Sequence, residues 1–120
     1  MMVVKPVMKQ FVIYQGSTFI ANFQWVNNDV YILDSSCKVD MQIRPDVKSD
    51  KIICEASTSN NKITINEATG IITVKISADE TEKFNFEKAA YDIELEFGNG
   101  DRFRIVQGNV TLNLGVTRIV

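Results

Sequence analysis

The chain has no histidine. Ser-His-Asp and Cys-His centres need an imidazole to take the proton of the nucleophile, so neither can be built here, and histidine ligation of a metal is excluded with them. Two cysteines, Cys37 and Cys54, are too few for a four-cysteine zinc site or a disulfide framework. No apolar run approaches the roughly 20 residues of a membrane helix. The opening "MMVVKPVMKQ" lacks the apolar core of a signal peptide, which predicts a chain made and kept in the cytoplasm or released by lysis. Charge of either sign is not in excess: thirteen basic and fifteen acidic residues leave a net −2. There is no lysine or arginine block. Neither nucleic acid nor an anionic membrane is therefore an expected partner.

What is present describes an ordinary globular domain. At 120 residues with 45% apolar and 23% charged side chains, one domain can form and bury roughly two-thirds of its unfolded surface without a metal or disulfide. Alternation with period two dominates. "TFIANFQW" sets Phe19, Ala21, Phe23 and Trp25 against Thr18, Asn22 and Gln24; "CKVDMQIR" sets Cys37, Val39, Met41 and Ile43 against Lys38, Asp40, Gln42 and Arg44. Each reads as a half-buried strand, the second ended by Pro45. "KITI" and "IITVKI" flank "NEATG" as a hairpin, and "FVIYQG" and "NVTLNL" bring the count to about eight strands. Ser77 followed by Glu80 has capping-box spacing and predicts one short helical turn near residues 78–83. If "CKVDMQIR" and "KIICEA" fold about Val47 and Lys48, Cys54 faces Gln42. Cys37 then lies about 17 Å away at about 3.3 Å per residue, so both thiols are expected to be reduced core groups.

"AYDIELEFGNGDRF" raises the one catalytic question: Asp92, Glu94 and Glu96 occupy alternate positions beside two arginines. Residues facing each other across an antiparallel pair share a side of the sheet, so apolar should meet apolar. A two-residue turn at Asn99 and Gly100 breaks that rule. A three-residue loop ending at Asp101 obeys it, placing Phe97 opposite Phe103, Leu95 opposite Ile105 and Glu96 opposite Arg104. The acids then form a solvated face rather than a tuned active site. Beyond Ile105 the inward residues become even-numbered, which predicts a bulge around Gln107, Gly108 and Asn109.

Other chemistry is sparse. Gly98 and Gly100 lie between strands rather than between a strand and a helix, so they do not make a phosphate loop. Asp46, Asp50, Asn60 and Asn61 lack the spacing of a calcium loop, and no metal or cofactor is expected. Trp25 shares its parity with Phe19 and Phe23, which favours core packing. The alternative is a sugar-stacking platform with Tyr14, Tyr31 and Phe84.

Two resemblances extend this reading. "EKAAYDI" places Glu87, Ala89, Tyr91 and Ile93 where immunoglobulin domains carry an acid, a small residue, the corner tyrosine and the second cysteine. The chain thus resembles an immunoglobulin-like antiparallel β-sandwich without its disulfide, in which Tyr91 would bond back to backbone near Glu87. From Gln15 onward, "QGSTF", "CKVDMQIRP", "GIITVKISADET", "AYDIELEFGNGDRFRIVQGNVTL" and "GVTR" follow in an order similar to small structural domains of phage and prophage tails, baseplates and fibres. Gly16, Arg44, Ser77, Thr81, Tyr91, Asp92, Arg104, Gly108, Val110 and Thr117-Arg118 occupy that family's motif positions. The loops from Val26 to Ser36 and from Asp46 to Asn61 do not follow it.

The resemblance implies a non-enzymatic virion component, made in the host cytoplasm, that associates with other virion proteins and with itself. It carries over no catalytic residue. The expected organisation is an N-terminal extension over residues 1–8 and one β-sandwich over 9–120. Tyr91, Trp25, Gly100, Gly108, Glu96 and Arg104 are the expected structural residues, and Val3, Val4, Val7, Met8 and Tyr31 the expected partner contacts. The apolar extension either packs on a neighbouring subunit or is a disordered terminus. A glycan- or receptor-binding module, with Tyr31 and Phe84 exposed together, is the alternative function.

Overall fold

A computed structural model describes residues 5–116. Val3, Val4 and Thr117-Arg118 lie outside the described residues. The order is β1 (Val7–Met8), β2 (Phe11–Tyr14), β3 (Phe19–Gln24), β4 (Lys38–Arg44), β5 (Cys54–Ser57), β6 (Ile63–Asn66), β7 (Ile71–Ile76), α1 (Ala78–Glu82), β8 (Lys88–Glu96) and β9 (Arg102–Asn113). Among the described residues the fold is all-β apart from α1. One sheet runs β1-β9-β8-β4-β5 with β2 also on β9, and the other runs β3-β7-β6.

Alternation positions the core. In β4, Val39, Met41 and Ile43 turn inward, and in β7 so do Ile72, Val74 and Ile76; all six are at most 1% exposed. Each such side chain contributes about 1.5–3 kcal/mol of burial. The Phe11 ring on β2 meets Phe19 and Phe23 on β3 at centroid distances of 5.2 and 6.0 Å, joining the two sheets in one core.

The expected wholly antiparallel pairing does not hold. Both β1 and β2 run parallel to β9, with Val7 beside Val106 and Phe11 beside Val110. These strands come from opposite ends of the chain, so no tight turn imposes an antiparallel direction. Residues 7 and 8, assigned from sequence to an extension, instead form β1 of the chain's own sheet.

The β8–β9 hairpin keeps the expected parity but closes one pair earlier. Glu96 faces Arg102 and Leu95 faces Phe103, while Phe97 through Asp101 form the loop. The Phe97 N–H donates to the Asp101 carbonyl and the Gly100 N–H to the Phe97 carbonyl, both at 2.9 Å. Closing the loop this way puts Gly100 at φ +93°, where a side chain is strained. The phase change falls at Ile105, before the expected bulge at residues 107–109: Glu94 pairs with Arg104 but Ile93 with Val106. Ile105 and Val106 are both buried, so the extra residue adds to the core.

Helix α1 begins where the capping spacing placed it. Ser77 Oγ accepts from the Glu80 N–H. The Glu80 carboxylate does not complete the box, and instead takes the Lys62 ammonium at 2.6 and 2.7 Å. Cys54 faces Ile43 rather than Gln42, one place from its expected partner. Both cysteines are free and buried.

Candidate functional site

The outer face of the large sheet holds the carboxylates in three cross-strand rows. Lys38 faces Glu96, which faces Arg102; Asp40 faces Glu94, which faces Arg104; Gln42 faces Asp92, which faces Gln107. The expected Glu96–Arg104 pair does not form, because the shorter register brings Arg102 Nε to Glu96 Oε1 at 2.6 Å. Arg104 Nε reaches diagonally to Asp92 Oδ2 at 3.4 Å, and its Nη1 donates to Gln107 Oε1 at 3.1 Å. These pairs are exposed and worth at most about 1 kcal/mol each. A shallow depression of about 930 Å³ crosses the face, with Gln42, Arg44, Ala90, Asp92 and Asn109 in its lining. Partial burial raises the Asp40 pKa, and the neighbouring Glu55 and Glu96 charges raise it further. The row is thus a solvated strand face with its acids beside arginines. Among the described residues no group of three His, Cys, Asp or Glu is gathered to hold a metal.

The aromatic residues collect at the hairpin end. Tyr31 packs on Phe97 at 4.8 Å and edge-on to Phe103 at 4.9 Å, and its hydroxyl donates to Asp101 Oδ2 at 2.8 Å. Trp25 lies against Phe97 at 5.5 Å, its indole N–H directed to the Tyr31 carbonyl at 3.3 Å. The Val26 to Ser36 loop is folded back by asparagine side chains. Asn28 Oδ1 accepts from the Val30 and Tyr31 N–H groups, and Asn27 Oδ1 from that of Leu33, which is 2% exposed. The exposed Tyr31–Phe84 pair of the glycan alternative is not formed. Phe84 is 6% exposed and lies tilted against Phe86 at a centroid distance of 5.6 Å. Its position after α1 buries it, which a parity argument for strands could not reveal.

Tyr91 and Gly108 face each other across β8 and β9. The tyrosine ring stacks on Phe11 at 4.6 Å and its hydroxyl donates to the Lys9 carbonyl at 2.7 Å. This corrects the corner-tyrosine expectation: the bond runs to the Lys9 carbonyl between β1 and β2, not to backbone near Glu87. A Cβ on Gly108 would stand 2.0 Å from the Lys9 carbonyl oxygen, so only glycine lets that carbonyl dip inward. Lys9 and Gln10 link β1 to β2 at this contact, with the Lys9 N–H donating to the Gln107 carbonyl at 2.9 Å. Sequence reasoning found Tyr91 and Gly108 but missed Lys9, whose contribution is its main chain and leaves no side-chain signal.

Apolar side chains line the β1–β2 edge. Val7 is 62% exposed, Met8 68%, Val12 46% and Tyr14 58%. The thioether of Met8 accepts from Gln107 Nε2 at 3.2 Å. No protein-family model matches the chain, and a search of curated proteins finds no match.

Proposed function

We propose that this protein is a non-enzymatic structural component of a tailed-phage virion, made in the host cytoplasm and working by association with other virion proteins and with copies of itself. The virion assignment rests on the ordered sequence motifs described above. We take the fold to be immunoglobulin-type. The pairing of β9, β8, β4 and β5 opposite a three-stranded β3-β7-β6 sheet supports this, because it matches the G-F-C-C′ and B-E-D groupings of such domains.

The observation that carries the association reading is the apolar edge of Val7, Met8, Val12 and Tyr14. An edge strand that exposes such side chains is a surface that a partner covers. Light scattering on the purified chain tests it. A defined oligomer is expected, falling to a smaller mass in the Val12→Lys/Tyr14→Lys double variant. An unchanged mass in the folded variant would remove this edge from the account.

A further inference from the structure

The small sheet has its own unsatisfied edge. Strand β3 pairs with β7 on one side only, and among the described residues no backbone group bonds to its other side. The Trp25 N–H donates to the Gly70 carbonyl at 2.8 Å in continuation of that ladder. By the alternation of an antiparallel pair, odd-numbered residues point their backbone groups at β7. Ile20, Asn22 and Gln24 then present theirs outward.

Natural edges are blunted by short length, charge, proline or a bulge. The others here are: β5 and β6 have four residues each, and the β1–β2 edge is broken at Lys9 and Gln10. Strand β3 has six residues, Phe19–Gln24, in unbroken register with β7, with no charged residue and no proline. Both of its faces are also under-buried. Ile20 is 57% exposed on the outside, and inward Phe19, Ala21 and Phe23 are only partly buried, whereas their β7 neighbours Ile72, Val74 and Ile76 are at 0%.

We infer that β3 pairs antiparallel with β3 of a second copy, about a two-fold axis at Ala21. The free row of donors and acceptors calls for a strand, and the segment complements itself. With Ala21 on the axis, Phe19 meets Phe23 of the other copy on the core side and Ile20 meets Asn22 on the outside. Outward-pointing Ile20 and Asn22 become the hydrogen-bonded pair. No charge opposes the approach. The product is one continuous six-stranded sheet, built from two copies of the three-stranded one, with an isologous interface. This deepens the association reading by naming a surface and a partner, while using an edge distinct from β1–β2.

Two variants test it. Asn22→Pro removes an outward N–H at the middle of the edge and leaves the β7 ladder intact. Asn22→Ala loses the same side chain, including its bond from Thr73 Oγ1 at 2.7 Å, but keeps the N–H. Wild type and Asn22→Ala are expected to be dimers or multiples of dimers by light scattering. Asn22→Pro, folded by circular dichroism, should have half that mass. Oxidised Ala21→Cys should cross-link in pairs, because its Cβ atoms meet at a non-hydrogen-bonded site and the native thiols are buried. An oligomer unaffected by Asn22→Pro and without the cross-link overturns the β3 pairing. If that oligomer still dissociates with Val12→Lys/Tyr14→Lys, the association reading stands without it. A wild-type monomer with no cross-link overturns the pairing directly.

Discussion

The Tyr91 hydroxyl and the Lys9 carbonyl meet at 2.7 Å across Gly108, so one side chain ties β8, β9 and the link between β1 and β2 together. Burial pushes the Tyr91 phenol up to about 12, which keeps it a donor throughout the working pH range. Tyr91→Phe leaves a carbonyl unpaired and is expected to cost about 1–3 kcal/mol in denaturant unfolding. A loss within error would mean that water replaces the hydroxyl.

Gly108→Ala should be worse than Tyr91→Phe, because the clash at 2.0 Å is with backbone and not with a movable side chain. The expected result is faster hydrogen exchange at the Lys9 amide, which donates to the Gln107 carbonyl at 2.9 Å. Unchanged exchange there would contradict the close approach of the two strands.

Asp40 lies near Glu55 and Glu96 on the outer face of the large sheet, and its pKa is raised by partial burial first and by those like charges second. Its charged form is thus disfavoured in the folded state, and stability is lost as pH rises through the folded pKa. Lys38 and Arg102 share the face and moderate the effect. Asp40→Asn should raise the melting temperature by about 1–2 °C at pH 7, with the difference fading below the unfolded carboxylate pKa. A destabilised variant at pH 7 would reverse the sign.

Burial, with the Glu80 charge adding to it, pushes the Cys54 thiol up to about 12; Cys37 is raised mainly by burial. Both should label with a disulfide reagent only as the protein unfolds, following denaturant concentration. Rapid labelling of the native protein would show that one of them is accessible.

Much of the fold was legible because alternation is a direct consequence of the strand period. Val39, Met41, Ile43 and Leu95, which alternation turns inward, are buried. The Ser77 cap was equally local. Registers were harder: the same parity permits Glu96 to face Arg102 or Arg104, and the choice depends on how Phe97 and Asp101 close the loop. The parallel docking of β1 and β2 was not legible, since it depends on a main-chain carbonyl and a distant tyrosine. Nor could parity place Tyr31, whose ring is positioned by Asn28 and Asp101 side-chain bonds within loops.

If copies associate through the apolar β1–β2 edge, as we propose, Met8 and Tyr14 report on it directly because both are readily oxidised and exposed, at 68% and 58%. Hydroxyl-radical footprinting should be compared between dilute and assembled protein. Oxidation of Met8 and Tyr14 is expected to fall on assembly. Equal oxidation of Met8 and Tyr14 in the two samples would contradict it.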